Sequence, residues 1–426
     1  MTVIIFMGSL IGAMAIGVPI AYALLLSGLA LMVHLDMYDA QILAQNVING
    51  ANNFPLLAVP FFMLAGEIMN VGGLSKRIVQ LAITLVGHVR GGLGFVAIVA
   101  ALLLAALSGS AVADAAALSA LLLPMMVAAG HKAGRAGGLI ASAGTIAPVL
   151  PPSIGYVIFG VTANVSISKL FLAGIVPGVL LGAGLWVAWW FVAKREHIAM
   201  PRQATMAERW AALKSSSWAL VLPFIVLVGL KMGVFTPTEA GVVAAVYAFF
   251  VATFVYKELH WKQMYRIFVS ASRTSGVVMF LVAASMVSAW LITVADLPAQ
   301  MVDMLKPFME NKTLLMLAIM ALVMAVGTAL DMTPTILILT PVLMPVIKHA
   351  GIDPIYFGVL FMINNAIGLI TPPVGVVLNV VAGVGKMKMD EVTRGAMPFM
   401  MVEFGVMFLL VFFPQLVIWP ARLLGG

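Results

Sequence analysis

The sequence predicts an all-α polytopic membrane protein with inverted-topology repeats: about nine crossings, two re-entrant helical hairpins and two interfacial arm helices. Three observations predict it. Apolar residues make up 63% of the 426 residues and charged residues 9%, with a mean hydropathy of +1.13, far too little charge to solvate a soluble domain of this size. A broken-helix pattern occurs twice, as GTIAPVLPPSIG at 144–155 around Pro151-Pro152 and as NNAIGLITPPVG at 364–375 around Pro372-Pro373. Lys and Arg gather in alternate connectors, the asymmetry that orients membrane helices.

The two breaks are 373 − 152 = 221 residues apart, and Pro124 and Pro345, Gly130 and Gly351, and Leu139 and Leu360 keep that offset. A Pro-Pro pair removes backbone donors and breaks a helix. Lipid tolerates this only where the freed groups face protein, water or an ion. Matching breaks in two halves point to the binding site of a secondary transporter.

Hydropathy places crossings near 3–33, 55–72, 139–161, 168–193, 217–235, 238–257, 270–294, 356–383 and 396–420. The run to Val33 is too long for a signal h-region and lacks a basic start, so it reads as a retained first span. Two more apolar stretches, 92–130 and 313–350, are interrupted by LSGSAVAD at 107–114 and GTALDMTPT at 327–335. Each is either one crossing with a surface helix or a hairpin that turns back within the membrane. Loop charge selects the hairpin. Lys76, Arg77 and Arg90 precede the first stretch, and Lys132 and Arg135 follow it. With both flanks cytoplasmic, Lys194, Arg195, Arg202, Arg209, Lys214, Lys257, Lys262, Arg266, Lys386, Lys388 and Arg394 are also inside, while the 34–53 connector carries no Lys or Arg. The second hairpin then enters from outside, with the N-terminus cytoplasmic and the C-terminus periplasmic.

The unit span, connector, hairpin, broken span, span thus occurs twice, at about 55–193 and about 270–420, in one permease domain. An odd number of crossings separates the copies, so they are inverted. The amphipathic connectors 75–88 and 299–312 are equivalent and read as interfacial arms. Zero cysteines exclude disulfides and thiolate chemistry. The net charge of +7 sits in short loops, which fits membrane orientation rather than nucleic acid.

The tips and breaks are the four irregular elements, and their hydroxyls, amides and carbonyls are the candidate ligands. The first half offers Ser108, Ser110, Thr145 and Ser153 with backbone at Ala147, Val149 and Pro152. The second offers Thr328, Asp331, Thr333, Thr335, Asn364, Asn365 and Thr371 with Gly368 and Ile370. Hard cations take oxygen ligands, and helix N-termini suit carboxylates. Ser110 and Thr333 also read as caps of the second hairpin helices. Ionisable residues at depth usually mark function. Asp331 is the foremost, Asp114 is equally explained by its helix's first-turn dipole, and Glu67 and Glu403 read as packing residues. Trp186, Trp189 and Trp290 are left facing lipid or a partner. The six histidines have no metal-ligand spacing.

The motifs SGSAVAD (108–114), GLIAS (138–142), APVLPPS (147–153), FTPTEAG (235–241), LTPVLMP (339–345) and GLITPP (368–373) resemble the large membrane (M) subunit of TRAP (tripartite ATP-independent periplasmic) transporters, across essentially the whole chain. The resemblance implies a sodium-coupled importer of organic acids (C4-dicarboxylate, sialic acid or sugar-acid type) in the bacterial inner membrane, working by an elevator motion. It also implies a small four-span membrane subunit and a periplasmic substrate-binding protein as partners. By that likeness one Na+ belongs at Ser108, Ser110, Ala147, Val149 and Pro152; the repeat places a second at Gly327, Asp331, Gly368, Ile370 and Pro373. Ala147 stands where the family pattern has glycine. Substrate contacts would come from Ser110, Thr145, Ser153, Thr333, Thr335, Asn364 and Asn365.

Three rivals exist: a stand-alone dicarboxylate carrier with similar hairpins, an intramembrane serine protease and a channel. The protease lacks a histidine or lysine at depth to activate Ser108 or Ser110, and a channel has no use for two matched closing hairpins.

Overall fold

A computed structural model describes residues 2–194 and 202–425; Arg195, placed above among the cytoplasmic charges, lies outside them. The described chain is helical, without strands. Eight of its helices are long and apolar enough to cross a membrane.

The first apolar stretch is not the single crossing expected at 3–33. Two helices, α1 (Thr2–Ala15) and α2 (Ile20–His34), pack along each other. The turn is made by Gly17 at φ +87°; its N–H bonds the Met14 carbonyl, and that of Val18 bonds Ala13. Left-handed glycine is a common helix end, and Pro19 has no N–H to continue the helix. With 14 and 15 residues, each is about 22 Å long or less, short of a hydrocarbon core of about 30 Å. The 34–53 connector holds a further helix, α3 (Ala40–Ala51), capped by the Asp39 carboxylate, which accepts from the N–H of Gln41 at 2.7 Å.

The first unit then runs α4 (Ala58–Val71, led by a 3-10 turn at Phe54–Leu57), α5 (Leu74–Val86), α6 (Gly92–Ser108), α7 (Ala111–Ala128), α8 (Ala133–Gly144), α9 (Ile154–Ala163) and α10 (Ile167–Ala193). Two long helices intervene, α11 (Met206–Lys231) and α12 (Pro237–Phe250), the latter ending in a π turn. The second unit repeats the order as α13 (Trp261–Val294), α14 (Leu297–Met309), α15 (Lys312–Gly327), α16 (Met332–His349), α17 (Pro354–Gly368), α18 (Val376–Gly385) and α19 (Met389–Phe412). The last crossing, expected to reach 420, stops at Phe412. Pro414 follows, and a separate helix α20 (Gln415–Gly425) packs on α10.

The short connectors show why they are helices. In α5, Leu74, Ile78, Leu81 and Ala82 are buried, while Lys76, Gln80 and Thr84 fall on the other side, an amphipathic pattern that needs only one covered face.

The halves pack crosswise. Helix α7 of the first lies on α18 of the second, α16 on α9, and α8 on α19. The α8–α19 seam is glycine-lined: a side-chain carbon on Gly138 would sit 2.2 Å from the Ala396 nitrogen, and one on Gly395 1.9 Å from the Gly134 carbonyl oxygen. Small residues four apart let helix backbones touch in this way. Trp189, expected at lipid or a partner, is fully buried. Its indole N–H donates to the Gly91 carbonyl at 2.8 Å, satisfying the polar end of a large apolar side chain.

Candidate functional site

In the first half, Ser108-Gly109-Ser110 joins α6 to α7 and rests on the break between α8 and α9. Gly109 is left-handed, at φ +62°, and a side-chain carbon there would lie 2.4 Å from the Pro152 carbonyl oxygen, so only glycine allows this approach. Ser110 caps α7, its hydroxyl accepting from the Ala113 N–H at 3.4 Å. The Ser108 hydroxyl donates to Asp114 Oδ1 at 2.5 Å and accepts from the Ser110 N–H at 3.2 Å. Asp114 is buried in the first turn of α7, with Oδ2 unpartnered. The positive end of the helix favours a carboxylate there.

Within this break, the Ser153 hydroxyl donates to the Pro148 carbonyl at 2.7 Å, and the Pro151-Pro152 bond is cis. Ala147, Val149 and Pro152 are all buried. The Val149 carbonyl turns toward α10, where a side-chain carbon on Gly174 would meet it at 2.4 Å. Thr145 ends α8 and reaches across to the second half; its hydroxyl oxygen lies 2.5 Å from the Ser142 carbonyl and 3.0 Å from Glu403 Oε1. The structure therefore brings Ser108, Ser110 and Pro152 together, and sets Thr145 on another partner.

In the second half, Asp331 caps α16, with Oδ1 accepting from the Met332 N–H at 2.8 Å and the backbone carbonyl from the Thr335 hydroxyl at 2.9 Å. The cap expected at Thr333 is thus Asp331, because the chain enters α16 two residues earlier. Asp331 and Ser110 are equivalent in the repeat (331 − 110 = 221), and both are caps. Gly368 approaches Gly327 so closely that a side-chain carbon on it would sit 2.8 Å from the Gly327 carbonyl oxygen. Asn365 lies at the same place, donating to the Met332 carbonyl at 3.2 Å. Asn364 donates to the Met320 carbonyl at 2.6 Å. The Oδ1 atoms of both amides are buried without partners. Gly327, Asn365 and Gly368 thus converge, Ile370 is buried nearby in sequence, and Asp331 and Pro373 are exposed. The Pro372-Pro373 bond is also cis.

Chemically, both tips offer oxygen, hydroxyls and helix-end carbonyls in each half, with the Asp114 carboxylate in the first and the buried amide oxygens of Asn364 and Asn365 in the second, and hard cations take oxygen ligands. Among the described residues no group of three or more His, Asp and Glu is placed to hold a metal.

A cavity of about 320 Å³ separates the first tip from α4 and α13, with Ser108, Ser110 and Ala113 on one side and Glu67, Asn70 and Thr274 on the other. Glu67 accepts from the Ser270 hydroxyl at 2.7 Å. The signal for this wall was present in the sequence: Glu67 and Asn70 are three apart in an apolar helix and share a face.

A family model described as "Tripartite ATP-independent periplasmic transporter, DctM component" matches residues 7–416. The chain belongs to the DctM family. Over 422 residues, 99% of each chain, this DctM-family protein is 56% identical to the 2,3-diketo-L-gulonate TRAP transporter large permease protein of Escherichia coli (strain K12). It is 38% identical over 417 residues, 98% of this chain and 97% of the other, to the sialic acid TRAP transporter large permease protein of Vibrio cholerae. Among solved structures it shares its fold with the Alcanivorax borkumensis YdaH transporter, at a TM-score of 0.67 and 15% identity over 92% of this chain and 91% of that one. The DctM-family chain is therefore the large permease component of a TRAP transporter, a multi-pass protein of the bacterial inner membrane.

Proposed function

We propose that the chain imports an organic acid of the sugar-acid type, driven by sodium, receiving it from a periplasmic binding protein and working with a small four-span membrane subunit. The observation that carries this reading is the convergence of each tip on a broken helix, where unpaired oxygens gather without Lys or Arg. A carboxylate there is met by helix N-termini, amides and bound cations. Two relatives are named for sugar acids, which supports that substrate class.

Sodium, as co-substrate, would be held in the first half by Ser108, Ser110 and the carbonyls of Ala147, Val149 and Pro152. In the second half the ligands would be Gly327, Asp331, Gly368, Ile370 and Pro373. Substrate polar groups would be read by Ser110, Ser153, Thr333 and Asn365 near the tips, with Thr145, Thr335 and Asn364 behind them.

The two helix pairs α6–α7 and α15–α16 enter from opposite sides as re-entrant hairpins. They move with the broken helices as one body, an elevator, against a frame containing α4, α5, α13 and α14. Because α1 and α2 fold back on each other, Thr2 returns to the side of His34. With the 34–53 connector outside, the N-terminus would lie outside as well, in place of the cytoplasmic position that a single first span implies. The C-terminus remains periplasmic.

Uptake by proteoliposomes holding both membrane subunits, with the binding protein added, tests the reading. Accumulation of a sugar acid under an inward sodium gradient is expected. Equal uptake in potassium alone would remove the sodium drive, and equal uptake without the binding protein would favour the stand-alone carrier. Ala133→Cys should label from the cytoplasm and Asn311→Cys from outside; the reverse at either removes the inverted topology.

A further inference from the structure

Glu403 of α19 and Thr145 at the end of α8 are both about 1% exposed. The Thr145 hydroxyl oxygen has two close oxygen neighbours, the Ser142 carbonyl at 2.5 Å and Glu403 Oε1 at 3.0 Å. A hydroxyl carries one proton. Two oxygens at 2.5 Å with no proton between them repel, so that proton belongs to the Ser142 contact. The 3.0 Å contact then needs a proton from the other side. Glu403 Oε2 has no partner at all. For an ionised carboxylate buried in hydrocarbon this would be a heavy desolvation cost, whereas the carbonyl oxygen of a neutral acid bears it cheaply.

The other buried acid of the site balances differently. Asp114 Oδ2 is unpartnered too, so the difference lies in the proton count alone: Asp114 receives the Ser108 proton, and Ser108 in turn accepts the Ser110 N–H, so the contacts there need no proton from Asp114. Among the described residues no cation is paired with Glu403. Of the elements packed against α19, α8 carries Arg135, α10 Lys169, α15 Lys312, α17 the capping Asp353, α18 the following Lys386 and α20 Arg422, all toward helix ends.

We propose that Glu403 is a neutral carboxylic acid whose O–H donates to Thr145, and that this proton fixes the first residue of the break that carries Ala147, Val149 and Pro152. Glu403 is a positioning residue. It belongs to the second half yet sets the backbone of the first half's ion site, so this role rests on the sodium reading above. The protonation does not.

Infrared difference spectra of wild type minus Glu403→Gln, in D2O at neutral pH, separate the two. A protonated-carboxyl C=O band lost in the variant supports the proposal; a carboxylate band lost instead overturns it, whatever ion drives uptake. In transport, Glu403→Gln keeps a donor and should hold the wild-type half-saturating sodium concentration. Glu403→Leu should raise it roughly five-fold, the loss of one hydrogen bond, with maximal rate less affected. Glu403→Gln as impaired as Glu403→Leu would show that the charge is required and would also overturn it. Should Glu403→Leu not fold, the glutamine variant and the spectrum decide.

Discussion

In the first half the tip lies against its break with Gly109 touching Pro152, and the segment from Pro151 to Gly155 is buried throughout. In the second half Gly368 also approaches Gly327, a little less closely, yet Pro372, Pro373 and Val374 are exposed, as are Ala329 and Asp331 on the tip. Part of the cover over the first break comes from the second half: a side-chain carbon on Gly155 would meet Met362 at 2.2 Å and Met332 at 3.2 Å. The same order of elements therefore sits in two environments. Equal halves in equal surroundings would bury both breaks alike. Unequal burial fits the elevator reading proposed above, in which the two halves would exchange environments.

A second contrast lies in the small residues. Gly327 and Gly368 are matched in the first half by Ala106 and Ala147 (327 − 106 = 368 − 147 = 221). The glycine of the family pattern is needed where backbones touch. At Ala147 the helices stand far enough apart for a methyl, and the backbone carbonyl is unchanged by it.

The largest expected effect comes from tying the first tip to the frame. With Asn70→Cys and Ala113→Cys, which line one cavity, a bifunctional crosslinker should stop uptake while sodium still binds. Full uptake under a complete crosslink would break the elevator and favour gating around a static site. Next is Gly109→Ala. A left-handed alanine costs about 1–2 kcal/mol before any overlap with Pro152, so uptake should fall to background, whereas Gly327→Ala, whose nearest neighbour would be 3.5 Å away, should transport. Uptake matched to expression checks both.

Asp114→Ala leaves the Ser108 hydroxyl without its acceptor and should lower thermal stability by about 1–3 kcal/mol. Asp331→Ala removes only a cap, about 1 kcal/mol, and should act mainly on sodium dependence. Equal melting losses would erase the distinction between the two acids. Gly368→Ala should cost about 1–3 kcal/mol by overpacking against Gly327, while Ala147→Gly stays within about 1 kcal/mol; thermal melts of the pair sharpen the contrast in spacing. Smallest is Ser110→Ala, about 1 kcal/mol for the cap, with a raised half-saturating sodium concentration. An unchanged sodium curve would leave Ser110 a cap alone.

Both Pro-Pro breaks, both tips and the 221-residue offset were legible because proline, glycine and charge act locally and leave a mark at one position. The turn at Gly17 was not. A glycine and a proline inside thirty uncharged residues do not lower hydropathy, and the fold-back depends on tertiary packing. Helices α3 and α20 were missed as well, although Asp39 and Pro414, whose capping and breaking chemistry is local, were there to mark them. Tip residues could be named, but their partners could not. Thr145 reads as one more hydroxyl in a break until Glu403, 258 positions away, is brought beside it by the α8–α19 seam.

That seam also dictates how the protein is assembled. The glycine face of α8 has no cover until α19 is made, 395 − 138 = 257 residues later, roughly 13–50 s at ordinary synthesis rates. Until then the first half waits in the bilayer with Gly134 and Gly138 bare and its break open. A chain arrested before α19 would leave that glycine face without its partner, so the close seam between the halves is among the last contacts the protein can form.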